Sequence, residues 1–103
     1  MATYWHVTRR EWDGGDLLPW RAQVDAGLVA DSDWYWTDAP IGMDGDGVCL
    51  YESREAAEDH VALFDGVEIL RCELPVEIRV DRTVEESIAI VRCAIPAEYI
   101  TRE

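Results

Sequence analysis

Hydrophobic and polar residues alternate over several short stretches of the chain, and two further stretches space their apolar residues as a helix does. Residues 2–9 alternate with period two, which predicts a first strand. The turn-forming sequence from Asp13 to Asp16 is expected to reverse the chain after it. One face of this strand should carry Ala2, Tyr4, His6 and Thr8, and the other should carry Thr3, Trp5, Val7 and Arg9.

Two helices are predicted between the strands. Residues 17–27 fit a first helix, with Pro19 near its first turn and Gly27 as its end. Residues 53–64 fit a second helix, for which Ser53 is the expected N-cap. Between them, residues 31–47 are rich in turn formers and predict a long loop, a type of segment that is usually functional or mobile.

The other strands fall mainly in the second half of the chain. Apolar or alternating runs predict them at residues 48–52, 67–74, 76–80 and 87–95. The last run is apolar on both faces except at Arg92, which is typical of a central strand. After Pro96, residues 97–100 are expected to form one closing turn. This order of elements predicts an α+β fold.

Length and composition indicate one globular domain spanning residues 1–103. The chain is 49% hydrophobic and 30% charged, which separates it from disordered proteins. No apolar run approaches the roughly 18 residues of a membrane span, and no signal peptide is evident, so we expect a cytoplasmic protein. Three cysteines, Cys49, Cys72 and Cys93, match no metal-binding spacing and are interpreted as small buried hydrophobic residues.

Charge is the most distinctive property of the composition. Nine basic residues, all arginine, stand against 22 acidic residues, which gives a net charge of −13. Such a balance disfavours direct binding to nucleic acid, because neutralising phosphates requires a basic surface. The segment from Asp13 to Asp46 contains eight aspartates and a single basic residue, Arg21. It is either a docking surface for a basic partner or a solubilising surface around a Trp-rich core.

Other candidate motifs carry little specific signal. Asp44 to Gly47 suggests a calcium loop, but the positions that should hold its first and last acidic ligands are Gly42 and Ser53, so an acidic turn is favoured. His6 and His60 alone are too few for a metal site. Glu85 and Glu86 enter the final strand together, and are either solvated acids or a carboxylate pair beside a cleft.

Three segments, taken in order, resemble the motifs of the ADP-ribosyltransferase fold. Residues 4–8 (YWHVT) resemble its first-strand histidine motif. Residues 47–61 resemble its second motif, a strand that opens with glycine and leads into an alanine-rich helix. Residues 85–100 resemble its third motif, a glutamate at the start of a strand that ends in a short aromatic turn. The resemblance implies a compact fold of that type, with antiparallel or mixed sheets and two short helices.

The resemblance also implies a set of roles in which NAD is the substrate. His6 would hold a ribose hydroxyl, and Glu86 would be the catalytic carboxylate that stabilises the positive charge developing on the sugar. Cys49 occupies the position of the usual nicotinamide-stacking tyrosine, with Tyr51 two residues further on the same strand face. The remaining implied contacts to NAD are Thr8 and Arg9, with Arg10 beside Arg9 at the pyrophosphate and Arg21 in reserve.

A shared cleft follows from these roles. His6, Tyr51 and Glu86 should line it together, while Trp5 and Val7 pack behind the first strand. Two functional hypotheses remain open at this point. One is an ADP-ribosyltransferase-like enzyme that either transfers ADP-ribose from NAD to a macromolecule or hydrolyses NAD. The other is a non-catalytic acidic inhibitor or interaction protein, whose segment from Asp13 to Asp46 binds a basic, nucleic-acid-binding protein surface.

Overall fold

The alternating N-terminal residues form a central strand of the sheet. The computed structural model describes residues 1–8, 11–27, 47–64, 67–82 and 87–103. Strand β1, Ala2–Thr8, pairs antiparallel with a later strand over its whole length, from Ala2 opposite Leu74 to Thr8 opposite Glu68. On its other side, Trp5 lies opposite Tyr51. β1 therefore lies inside the sheet, with a partner strand on each side.

Six strands and two α-helices are found in the described part of the chain. The strands after β1 are β2, Val48–Tyr51; β3, Glu68–Leu74; β4, Asp81–Arg82; β5, Ile88–Val91; and β6, Ile100–Arg102. They form one antiparallel sheet in the order β4-β5-β2-β1-β3-β6. The helices are α1, Trp20–Asp25, and α2, Arg54–Phe64. The predicted α+β class is confirmed.

The two faces of the sheet bury different sets of side chains. The face covered by α2, called here the helix face, gathers Cys49, Tyr51, Ala57 and Ile88, with Trp5, Val7, Ala56 and Ile69 packed against them. The opposite face, called here the core face, carries the larger cluster of Leu17, Val48, Leu50, Leu70, Cys72, Leu74, Val91, Ile95 and Ile100. Alternation along each strand sends neighbouring residues to opposite faces and so produces this division.

Local signals at the helix ends are confirmed. The Ser53 hydroxyl accepts a hydrogen bond from the Ala56 amide at 3.1 Å, as expected of an N-cap before α2. Gly27 has a φ of +74°, the left-handed conformation that commonly follows a helix end. Helix α1 is nevertheless shorter than the predicted 17–27 and begins only after Pro19.

The predicted strand at residues 76–80 is wrong. The Ile78 amide donates to the Pro75 carbonyl at 3.1 Å, which closes a turn at the start of this segment. Val76 lies in that turn and is 93% exposed, while Ile78 and Val80 pack against the core-face cluster. Pairing starts only at Asp81, opposite Ile90. The alternation of residues 76–80 therefore reflects the packing of Ile78 and Val80 against the core, not pairing with another strand.

The predicted strand at 87–95 is also too long. Strand β5 is fully buried and lies inside the sheet, as its apolar pattern predicts, but it ends at Val91. After a bend, Ile95 pairs with Leu17 through two backbone hydrogen bonds of 2.8 and 2.9 Å. The expected closing turn is a 3-10 helix, Ala97–Tyr99, that leads directly into β6.

Some predictions fall outside the described residues. They are most of the loop at 31–47, the arginines Arg9 and Arg10, and the carboxylates Glu85 and Glu86. No helix in the described ranges is both long and apolar enough to cross a membrane.

Gly47 allows β2 and β5 to approach each other closely. A Cβ atom at this position would lie 2.3 Å from two side-chain atoms of Ile90 and 2.9 Å from the Val91 carbonyl oxygen. Ile90 is itself fully buried and has little room to move. Gly47 is therefore required by the close packing of β2 against β5.

We expect Gly47→Ala to lower the free energy of unfolding by about 1–3 kcal/mol, because overpacking displaces buried neighbours. Chemical denaturation of the variant measures this loss. Gly15→Ala is the matched control, since its Cβ would meet only the side chain of Asp13, at 3.1 Å, and no buried neighbour. Equal stability losses in the two variants would contradict the packing role.

Candidate functional site

His6 lies in the interior, on the core face of β1. It is 2% exposed, and its Nδ1 lies 2.8 Å from the carbonyl oxygen of Cys49 on the neighbouring strand. A carbonyl oxygen only accepts hydrogen bonds, so Nδ1 carries the proton of this contact. The ring therefore satisfies a buried backbone acceptor and links β1 to β2.

Tyr51 and Cys49 lie on the opposite face from His6. Both belong to the cluster under α2, and Tyr51 is only 6% exposed. The Tyr51 ring lies 4.7 Å from the ring of His60 on α2, at an interplanar angle of 51°. Such a tilted contact is typical of rings that pack a sheet against a helix. Cys49 and Tyr51 do share one strand face, as predicted.

The expected cleft shared by His6 and Tyr51 is not formed. Residues directly opposite each other in an antiparallel pair point to the same face, and Tyr51 lies opposite Trp5. Since Trp5 and His6 are adjacent in β1, their side chains point to opposite faces. Trp5 and Val7 pack on the same side as Tyr51 instead of behind a cleft that contains it. Glu86 lies outside the described residues, so its distance to His6 is not defined.

Thr8 is held in a reciprocal pair with β3. Its hydroxyl donates to the Glu68 carbonyl at 3.3 Å and accepts from the Glu68 amide at 3.2 Å. The side chain is 5% exposed. Thr8 thus closes the end of the β1–β3 pairing. Of the arginines proposed to meet a pyrophosphate, Arg21 is exposed at the surface of α1, while Arg9 and Arg10 lie outside the described residues.

A clamp of Trp12, Glu68 and Arg102 was not predicted from the sequence. Glu68 accepts from the Trp12 amide at 2.7 Å through Oε2 and from Arg102 Nε at 3.1 Å through Oε1. Arg102 also donates to the Trp12 carbonyl, and its guanidinium lies 4.9 Å from the Trp12 ring centroid, a cation–π contact. The three residues are far apart in sequence, so no local pattern indicates them.

The start of the acidic segment is attached firmly to the core. Asp16 accepts from the Ala97 amide at 2.9 Å, and Leu17 pairs with Ile95 beside it. The amide of Gln23 in α1 donates to the Leu18 carbonyl at 2.9 Å. Asp13 accepts from the Gly15 amide at 2.8 Å. Within residues 11–27, the carboxylates of Asp13 and Asp16 are therefore held by hydrogen bonds to backbone amides.

Most described arginines form ion pairs with carboxylates of the same chain. Their pairs are Arg54 with Glu58 and Glu103, Arg79 and Arg92 with Asp81, Arg82 with Glu52, and Arg102 with Glu68. The hydrogen bond from Arg79 is the main cause that holds the pKa of Asp81 below its ordinary value, and Arg92 acts in the same direction. These pairs reduce the positive charge that the surface offers to an anionic partner.

The cysteines and acidic groups do not form a metal site in the part of the chain that the structure describes. None of the three cysteines forms a disulfide bond, and Cys49 and Cys72 are buried whereas Cys93 is exposed. Burial raises the pKa of the Cys72 thiol to about 12, so this side chain stays protonated at neutral pH. The interpretation of the cysteines as buried hydrophobic residues is confirmed for Cys49 and Cys72 and is wrong for Cys93.

No family model, curated protein or solved structure matched this chain in the three comparisons made.

Proposed function

We propose that this chain is a non-catalytic binding protein whose acidic surface docks on a basic protein. The proposal is carried by the pairing of the charged side chains that the structure describes. Five arginines are tied to carboxylates of the chain itself, while further carboxylates stay exposed on the surface. These exposed acidic residues are Glu11, Asp13, Asp16, Asp25, Glu55, Asp59, Glu73, Glu77 and Glu98. A basic surface is the complement of such a field.

The segment from Asp13 to Asp46 is the strongest candidate for the contact surface. Its eight aspartates against one arginine contribute a charge of −7 of the total −13. Its described part is held against the core through Asp16 and Leu17. Fixed carboxylates lose less conformational freedom on binding than those of a mobile tail, which favours affinity.

The interior position of His6 also supports a binding role. A group that holds the ribose of NAD must reach the ligand, whereas His6 is 2% exposed and bonded to Cys49. The aromatic candidate for stacking on nicotinamide, Tyr51, is packed against His60 on the other face. The two side chains therefore lie on opposite faces of the sheet.

Neutralising three carboxylates at the attached end of the segment tests the proposal. We expect Asp13→Asn, Asp16→Asn and Asp25→Asn together to weaken binding of a fluorescent arginine-rich peptide about tenfold, from roughly 0.5 kcal/mol for each lost charge contact. Asparagine keeps the acceptor oxygen that Asp16 offers to Ala97. Fluorescence anisotropy at low and moderate salt measures the dissociation constant.

The matched control removes the same charge elsewhere. Glu55→Gln, Asp59→Asn and Glu73→Gln also neutralise three exposed carboxylates, and should weaken binding much less. Wild-type affinity should fall steeply as salt rises, because screening weakens contacts between exposed charges. Equal losses in both triple variants, or an affinity that does not depend on salt, would contradict docking through this segment.

ADP-ribosyl transfer from NAD is the second candidate. The observation in its favour is that the first two motif strands, β1 and β2, are neighbours at the centre of the sheet, with His6 bonded to the Cys49 carbonyl. In this proposal NAD is the substrate, and Glu86 and His6 act on its ribose, as the resemblance implies. The other implied contacts, Thr8, Arg9, Cys49 and Tyr51, keep their proposed roles.

Incubation with labelled NAD separates the two candidates. An enzyme should release labelled nicotinamide or label a protein, and Glu86→Gln should lower the rate on the order of a hundredfold, the loss typical of a transition-state electrostatic contact. Glu85→Gln, which removes the neighbouring carboxylate, is the matched control and should retain activity. No turnover by the wild type, or the same rate in all three proteins, would exclude this activity.

A further inference from the structure

A cavity of about 410 Å³ lies beside the edge strand β4. It is lined by Arg79 and Asp81 on one side, and by Arg92 and Cys93, at the bend after β5, on the other. These residues come from two separate stretches of chain that the pairing of Asp81 with Ile90 brings together. None of them is among the residues to which the resemblance gives a role, and none belongs to the acidic segment from Asp13 to Asp46.

One carboxylate holds both guanidinium groups of this cavity. Asp81 accepts from Arg79 Nε at 2.8 Å through Oδ1 and from Arg92 Nε at 3.3 Å through Oδ2. The group of three thus has a local charge of +1. Among the described ion pairs, the others balance one arginine with one carboxylate or, at Arg54, with two.

The two guanidinium groups remain accessible to solution. The side chain of Arg79 is 87% exposed and that of Arg92 is 52% exposed, while Asp81 between them is 27% exposed. Arginine presents its donors in a planar fork that matches the oxygens of carboxylates and phosphates. Asp81 restricts the movement of both guanidinium groups, so they have less conformational freedom to lose when an anion binds.

We propose that Arg79 and Arg92, braced by Asp81, bind a small oxyanion in this cavity. Phosphate and carboxylate groups share the required chemistry, because their oxygens can accept hydrogen bonds from both guanidinium groups. The volume is within the range of small-molecule sites, roughly 300–1,000 Å³. The site is separate from the acidic surface proposed to dock on a basic protein, and neither depends on the other.

Cys93 reports directly on occupancy of the cavity. It is the exposed thiol of the chain, since Cys49 and Cys72 are buried, and it forms part of the cavity wall. A neutral alkylating reagent, iodoacetamide, should therefore modify Cys93 in the folded protein. An anion held by Arg79 and Arg92 should hinder this reaction, and mass spectrometry follows the rate.

The experiment compares inorganic phosphate, succinate and chloride at equal ionic strength and pH. We expect ~20 mM phosphate or succinate to slow alkylation of Cys93 about fivefold, the factor of 1 + [L]/Kd for a site with a Kd of about 5 mM. Slowing by phosphate alone identifies a phosphate site, and slowing by succinate alone identifies a carboxylate site. Either result supports the proposal.

Variants show whether the arginines cause the protection. Arg79→Gln and Arg92→Gln should each abolish most of it, and the high exposure of Arg79 makes its replacement compatible with folding. Arg71→Gln, an exposed arginine of β3 outside the cavity, removes the same charge and should leave the protection intact. The same alkylation rate in phosphate, succinate and chloride, or unchanged protection in both cavity variants, would overturn the proposal.

Discussion

The pairing of β1 with β2, which sets Trp5 opposite Tyr51, determines which side chains can meet in this molecule. Because strand side chains alternate, this register sends Tyr51 to the helix face and His6 to the core face. A shift of one residue would exchange the two faces and expose the apolar sets that each now buries. The helix face needs Tyr51 under α2 beside His60, and the core face needs Leu50 and Val48 in the larger cluster.

This division places His6, a candidate ligand-binding residue, in the interior of the molecule. His6 meets a backbone acceptor of the neighbouring strand inside the sheet, where an unsatisfied carbonyl would cost about 1–3 kcal/mol. The buried His6 ring is thus hydrogen-bonded to another group of the interior. The surface differs, because exposed carboxylates exceed the arginines available to pair with them.

Features set by neighbouring residues could be predicted from the sequence, and features set by distant pairing could not. The N-cap at Ser53 and the helix end at Gly27 depend on local backbone chemistry, so short motifs reveal them. Val76 sits in an alternating run, yet a turn from Pro75 exposes it, because alternation alone does not supply a partner strand. The face of Tyr51 depends on its register against Trp5, which no single strand encodes.

The state of the His6 ring in the presence of NAD tests this account most directly. Nitrogen-15 NMR of histidine-labelled protein resolves the two ring nitrogens, and a His60→Asn variant assigns the remaining signals to His6. We expect a proton on Nδ1, slow exchange of that proton with solvent, and ring signals that saturating NAD leaves unchanged. A His6 ring whose signals shift as NAD is added would contradict it and would favour the ribose-binding role.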